Sequence, residues 1–569
     1  MKSSERINNP SELFRAYPTP HGMSLKRGRP KEKLRYAQNV YIDHEGGGDA
    51  VESIPGFRKI YATEKKIHSF ALVKAEEKSC LIVHEGDSLY RSFMTEENEA
   101  KKKEKLTELS DSESKIFTFG KISILTDGKS LYLLEGGEIT AAFDEEFIAK
   151  CSLCAMVDGR LFLSGNKNEE GKIFFSSRLD TEKPTFSYED YILEGGEIIS
   201  LLSHGGELWV FKGGQEGESI VCRNTEEGYQ KRRVLCGVRP TGRALSCEGE
   251  IVFLAEDGLW SIEAPQSAEK ARLTHRSADI DAMLLTEDIK NARLTLWKGY
   301  VAIGVGEKIY LADRREDYSW YILSDIGSYA GDRRVYRYSP IAPEGYSVHK
   351  ATDMAAEGEV MSLRLEDGRT VYYTEEGGKR YAVYPTDERV GGMFSPAEAL
   401  LSSGSLLLFS TVDGLFLFNS DKRGITPEGK DCKSRKKYSL HSSFYSFDGH
   451  APRYIIATES DDCGQSLTEK TSLGRSLMLK LKSPSGAGLT VSVITDGELA
   501  SRQTVTIPPA KSAGSPWEKE SVGVKMNERA HGWVEKQIVI EGQRFASPFG
   551  LYSLGFRYQP KENLRKDNL

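Results

Sequence analysis

One pattern recurs along the middle of the chain: a short apolar run, a turn carrying glycine, then a second apolar run. It appears at CLIVHEGDSLY (80–90), ISILTDGKSLYLL (122–134), LFLSGNKNEEGKIFF (161–175) and LWVFKGGQEGESIVC (208–222). It returns at IVFLAEDGLWSI (251–262), YVAIGVGEKIYLA (300–312) and LLLFSTVDGLFLF (406–418). Each copy reads as a β-hairpin whose glycine supplies the positive backbone angle that a tight turn demands. Neighbouring copies lie roughly 40 to 50 residues apart, the length of a four-stranded sheet unit. One such unit cannot bury both faces of its sheet, whereas a closed ring of units covers the faces and protects the edges. The pattern therefore predicts an all-β chain whose residues 61–428 form a β-propeller with insertions, of about seven blades, with six or eight as close alternatives. The interval between 312 and 406 is too long for one unit, so it holds an extra blade or an insertion.

The flanks read differently. Residues 1–60 form an N-terminal arm and a lead-in strand, in which Val40 and Ile42 share one face and Gly46-Gly47-Gly48 turns the chain. A basic linker at 429–440 separates the propeller from residues 441–569. There, Leu477, Leu479 and Leu481, then Leu489, Val491 and Val493, then Tyr552, Leu554, Phe556 and Tyr558 alternate with period two. Strands in that number, with no helical pattern between them, predict a C-terminal β-sandwich-like domain. Two interruptions of the propeller stand out. The charge-rich EENEAKKKEKLTEL (96–109) reads as a solvated loop or short helix. SADIDAMLLTEDIKNARL (277–294) places Ile280, Met283 and Leu284 on one helical face, with Ser277 as N-cap.

Residues 158–214 also resemble a segment of the phage tail hub or tail tube nozzle family, through Leu161, Phe162, Gly165, Ile173, Ser176, Leu179, Asp180, Pro184, Phe186, Tyr191, Ile192, Leu208, Val210, Phe211 and Lys212. The lead-in strand is similar to the start of the same proteins at Asn39, Val40, Ile42, Pro55, Gly56 and Phe57, and GWVEKQIVIEGQRFASPFGLYSLGFRY resembles their C-terminal domain more loosely. The resemblance implies a structural, non-enzymatic virion protein of a podovirus-type tail, made in the bacterial host cytoplasm. In that family, subunits form a ring, commonly sixfold, below the portal and adaptor. The ring continues the DNA channel and carries other tail proteins. Two rivals stay open: a receptor-binding or glycan-degrading tail protein, and a cellular propeller scaffold for peptide partners.

The net charge of −7 argues against a surface that grips nucleic acid broadly and suits a wall that DNA slides past. No apolar run approaches the ~20 residues of a membrane span, and the N-terminal segment lacks the apolar core of a secretory leader. The 8 cysteines are scattered, as expected of reduced thiols. No catalytic, cofactor or metal set emerges. Cys151 and Cys154 form a lone C-x-x-C, and on a strand residues three apart point to opposite faces. Asp127-Gly128, Asp158-Gly159, Asp257-Gly258 and Asp413-Gly414 could hide a carboxylate pair, but aspartate before glycine is what a hairpin turn requires. Tyr318, Trp320 and Tyr321 suit blade packing better than an exposed sugar platform. The candidate partner-binding residues are basic: Lys26, Arg27, Arg29 and Lys31 on the arm, with an Arg-Gly-Arg-Pro core of the kind minor-groove hooks use, and Lys433, Arg435, Lys436 and Lys437 in the linker.

Overall fold

The computed structural model describes the chain outside residues 1–12, 18–21, 26–32, 45–49, 55–56, 64, 76–77, 95–99, 101, 180–183, 214–217, 226–227, 243, 264–271, 307, 325–328, 340–350, 358–359, 366–369, 377–378, 393–400, 404–405, 412–413, 419–452, 483–486, 508–518, 525–531, 544–549 and 562–569. The linker at 429–440 and Gly46-Gly47-Gly48 lie outside the described residues. The chain divides into two compact units. One combines Met1–Arg58, Leu311–Val390 and Phe418–Leu569, and the other combines Lys59–Tyr310 and Gly391–Leu417.

The second unit is a β-propeller arrangement with five consecutive four-stranded antiparallel blades. Blade one is Ile67–Ala75, Lys78–Glu85, Ser88–Phe93 and Glu104–Glu108. Blade two is Lys115–Phe119, Ile122–Thr126, Leu131–Glu135 and Glu138–Phe143. Blade three runs Leu153–Val157, Arg160–Ser164, Lys172–Ser176 and Phe186–Leu193, and blade four Ile198–His204, Glu207–Lys212, Glu218–Thr225 and Gly228–Cys236. Blade five is Leu245–Cys247, Glu250–Ala255, Gly258–Glu263 and Arg272–His275. The hairpins legible in the sequence are the two middle strands of these sheets.

Their nearly continuous apolar runs follow from burial on both faces. Leu161 and Leu163 pack with Ile124, Leu131 and Leu133 of blade two, while Phe162 between them packs with Leu208 and Val210 of blade four. The alternation repeats one blade on, where Trp209 and Phe211 face Ile251, Phe253 and Ile262 of blade five. Each middle strand therefore joins two inter-blade cores. The outermost strands have one neighbour instead of two, and Glu104–Glu108 and Phe186–Leu193 are correspondingly polar and largely exposed.

The first strands of successive blades neighbour one another in order. The circuit continues through Arg293–Trp297 and Leu401–Ser403 back to Ile67–Ala75. Leu401–Ser403, Leu406–Thr411 and Gly414–Phe418 form a further sheet whose fourth strand is Phe57–Ala62, from the other end of the chain. Leu408, Leu415 and Leu417 of this sheet share a core with Ile60 and with Leu72, Leu81 and Val83 of blade one. A buried polar contact joins the same two sheets: the Tyr61 hydroxyl donates to Glu85 at 2.7 Å, and Lys103 Nζ reaches the same carboxylate at 2.8 Å.

Two expectations are corrected here. The excursion at 96–109 is neither loop nor helix throughout, because Glu104–Glu108 is the outer strand of blade one, paired with Ser88–Phe93. The segment 277–294 is not one helix. A single turn at Asp281–Leu284 is followed by a 3-10 turn at Ile289–Asn291, and the strand Arg293–Trp297 begins directly after. Ile280 and Leu284 are buried as the periodicity implied, but Ser277 does not cap the turn. Its hydroxyl accepts from Leu259 N at 2.8 Å and donates to Asp281 at 2.7 Å.

In the first unit, the N-terminal strands pair with strands from the C-terminal part. One sheet contains Val40–Ile42, Val51–Ser53, Gly550–Pro560, Lys470–Lys482 and Lys519–Val524, with Leu13–Tyr17 also on Gly550–Pro560. In a second, Ser319–Leu323, Leu34–Gln38, Arg453–Thr458, Lys536–Gln543, Ala487–Thr495 and Glu498–Ile507 are neighbours in that order. Asn39 passes the chain from the second sheet to the first. It has φ +53°, a left-handed conformation that asparagine tolerates better than most residues, and its side-chain oxygen accepts from Ser324 N at 2.9 Å. A five-stranded sheet occupies the long interval seen in the sequence. Its order is Tyr329–Ser339, Lys379–Gly392, Thr370–Glu376, Val360–Leu365 and Ala351–Glu357. Tyr318, Trp320 and Tyr321 are buried in this unit, where Gly22 N donates to the Tyr321 hydroxyl at 2.9 Å.

Candidate functional site

All eight basic residues proposed as contacts, Lys26, Arg27, Arg29, Lys31, Lys433, Arg435, Lys436 and Lys437, lie outside the described residues. The described part of the propeller places a different set of groups together. A cavity of about 780 Å3 opens where the first strands of the blades begin. His68, Ser69 and Phe70 line it from blade one, Glu113 to Phe117 from blade two, and Ser152, Leu153 and Cys154 from blade three. Ile198 to Leu201 continue the wall from blade four, and Lys290 to Leu294 lead into Arg293–Trp297. The turn after the second strand of blade three adds Ser164, Gly165, Asn166 and Lys167. This clustering follows from topology. Every first strand points the same way, so the residues that begin each blade converge at one end of the circuit.

Most of the neutral polar groups in the wall are already engaged within the wall. Ser152 Oγ donates to Gly165 O at 3.2 Å, and Ser164 Oγ to Lys172 O at 2.7 Å. Ser200 Oγ accepts from Ala244 N at 3.0 Å. The Asn166 amide donates to the carbonyls of Glu146 and Phe147, both at 3.2 Å. Ser114 is shared between Ser69 Oγ at 2.5 Å and His84 Nδ1 at 2.7 Å. Behind that serine, the rings of His68 and His84 lie 4.8 Å apart, and His68 Nε2 is 2.8 Å from Asp111. His68 Nδ1 and His84 Nε2 are buried without a hydrogen-bond partner. Burial, with His68 alongside, lowers the His84 pKa to about 4, so the imidazole is neutral at pH 7.

Lys115 is the distinctive cation of the cavity. Its side chain is exposed on the cavity lining, with neighbouring protein atoms taking the place of part of its hydration. This desolvation lowers its pKa; Glu113 opposes the shift, and Arg293, from the strand that follows blade five, adds a smaller contribution to it. The mouth also carries Lys167 and Lys290, with Glu113, Glu170 and Glu197 as the acidic groups. Sequence reading had no signal for this set, because Lys115 and Arg293 belong to different blades and neither lies in a motif.

The other sequence candidates have local roles. Cys151 and Cys154 are free thiols in one apolar cluster with Phe117, Ile124 and Phe174. They share a side because Cys151 precedes the strand that begins at Leu153. Burial pushes the Cys151 thiol up to about 12. Asp127 Oδ1 accepts from Lys129 N and Ser130 N, both at 2.9 Å, and Asp257 Oδ1 from Trp260 Nε1 at 2.8 Å, so both are turn-formers. Asp413 lies outside the described residues. Among the described residues no group of three or more His, Cys, Asp or Glu side chains is placed to hold a metal ion, and no helix is long and apolar enough to cross a membrane.

No family model and no curated protein matches the chain. Among solved structures, it is similar to a quinonprotein alcohol dehydrogenase-like protein from Bacteroides thetaiotaomicron, at 12% identity and TM-score 0.33. That match covers 45% of this chain and 66% of the other, just under two thirds of its length. It is also similar to the Neurospora crassa Pan2 WD40 domain, at 8% identity and TM-score 0.32 over 60% of this chain and 98% of that one. A third similarity is to Kluyveromyces lactis Hsv2, at 12% identity and TM-score 0.27 over 47% of this chain and 98% of that one.

Proposed function

We propose that the chain is a structural, non-enzymatic virion protein of a phage tail, of the hub or nozzle class. In this reading copies of the chain close a ring, six being the family's common number, below a portal and adaptor. The ring continues the DNA channel and serves as the platform for other tail proteins. It works in the virion tail after synthesis in the bacterial host cytoplasm, and duplex DNA passes its lumen without specific binding. The observation that supports the reading best is how the chain is routed. A rigid propeller is interrupted once by a five-stranded sheet with strands of up to 14 residues. Both ends of the chain meet in a second set of sheets. A tail subunit needs such separate surfaces, one for neighbours in its ring and others for the proteins above and below. The net charge of −7 suits a wall past which DNA moves.

Seven blades are the finer reading of the propeller. It is supported by the inner-strand circuit through Arg293–Trp297 and Leu401–Ser403 and by the closing strand Phe57–Ala62. A sandwich in the first unit is supported by its two sheets, in which Leu477, Leu479 and Leu481 of one and Val491, Val493, Ile538 and Ile540 of the other are buried. Sedimentation of the purified chain, alone and with its candidate adaptor, tests the functional reading. A closed oligomer in either sample supports it. Monomers in both, together with saturable glycan binding, would replace it with the receptor-binding rival.

A further inference from the structure

We propose that Leu13–Tyr17 is an exchangeable strand, and that its seat on Gly550–Pro560 accepts the same segment from a second copy of this chain. Such a join stands apart from the tail reading, because a ring can close through other surfaces. The seat is specific. Leu13 lies opposite Tyr558, and the register runs unbroken to Tyr17 opposite Leu554. Phe14 crosses Gly555 so closely that a Cβ there would stand 2.6 Å from its ring and 2.8 Å from the Arg15 carbonyl oxygen. Arg15 pairs with Asp461, and the Tyr17 hydroxyl donates to the same carboxylate at 2.8 Å. The Asp461 side chain is only 11% exposed, so the strand supplies the cation and the hydroxyl that compensate its burial. The start of the strand is held less firmly. Among the described residues the strand pairs only with Gly550–Pro560, which leaves its other edge open. Leu13 is 38% exposed and Phe14 51%. Adjacent strand residues point to opposite faces, so neither face of this start is fully covered within one copy. A copy held by the strand lies alongside that start and can cover it. The connection from Tyr17 to Gly22 reads Pro18-Thr19-Pro20-His21. Two prolines favour a stiff, extended connection, which reaches a neighbour more readily than it folds back. Exchange keeps every contact made within one copy, so the balance is set by this connection and by concentration.

The test co-expresses two differently tagged full-length chains, one carrying Phe14→Cys and the other Arg557→Cys, at positions that lie opposite each other in the register. Both carry Cys463→Ser, which removes the free thiol beside Asp461. Oxidation should join the two chains with about 10-fold or more the yield obtained when Lys129→Cys, in an exposed turn of blade two, is the second site. Adding Gly555→Val to the Arg557→Cys chain should abolish the join. Cross-linking no stronger than with Lys129→Cys, or undiminished by Gly555→Val, would overturn the proposal. If the variants fail to fold, the wild-type chain still decides. Its mass should rise over an about 100-fold range of concentration, and an excess of a peptide spanning residues 11–17 should lower it again. A monomer mass at every concentration, or association that the peptide leaves unchanged, would refute strand exchange.

Discussion

Replacing Gly414 with alanine tests how the propeller is closed. Gly414 begins the third strand of the closing sheet, beside Phe57–Ala62, with φ +143°. An alanine Cβ there would stand 1.9 Å from the carbonyl oxygen of Tyr61, a backbone atom that cannot swing aside. The unfavourable backbone angle alone costs about 1–2 kcal/mol. Relief of the contact requires the two strands to part by more than 1 Å locally, roughly the loss of two backbone hydrogen bonds at about 1 kcal/mol each. The sum is about 3–4 kcal/mol, at the severe end for a single methyl group. Gly159 is the control. It has φ +69° but nothing within 4 Å of a Cβ, so Gly159→Ala should cost only the backbone term, about 1 kcal/mol. A chain of two compact units need not unfold in one step, so native-state hydrogen exchange is the suitable assay. Amides of Gly414–Phe418 and Phe57–Ala62 should lose about 100-fold or more of their protection in Gly414→Ala, while blades three and four change little. Equal, small effects of the two substitutions would refute the closing-strand argument.

Other substitutions test other parts of the molecule. His84 is held neutral in the fold, with its pKa lowered from 6.5 to about 4. The unfolded chain therefore binds the proton more tightly, and stability present above pH 6.5 falls as the pH drops toward 4. The loss is about 2 kcal/mol after allowing for relaxation of the site. His84→Gln should flatten that part of the urea-midpoint profile, and an unchanged slope would count against it. In the first unit, buried Lys470 donates to the carbonyls of Gln465 and Thr468 at 2.8 Å and of Val534 at 2.9 Å. Lys470→Met orphans all three acceptors and should cost about 3 kcal/mol, read from urea unfolding by the fluorescence of neighbouring Trp533. A loss below about 1 kcal/mol would mean that water replaces the ammonium there.

The middle strands were legible because burial on both faces leaves an uninterrupted apolar run, as in Leu161 to Leu163 and Leu208 to Phe211. Outer strands were not. Glu104–Glu108 faces solvent and carries a loop's composition, and only its pairing to Ser88–Phe93 makes it a strand. At 277–294 the helical spacing of Ile280 and Leu284 was genuine, but the turn stops after Leu284 because the chain must begin the strand at Arg293. The join of the two chain ends in one unit had no local signature, since pairs such as Leu13 with Tyr558 lie at opposite ends of the sequence. The cavity was hidden for the same reason: Lys115 and Arg293 line one space only once the first strands are arranged in a circuit.

The central claim, that this propeller is a subunit of a channel-forming ring, is tested most directly by electron microscopy of the chain mixed with its candidate adaptor. The account predicts rings with a central opening of about 20 Å or more, wide enough for a hydrated duplex. Isolated single propellers, under conditions where the adaptor itself forms rings, would contradict it.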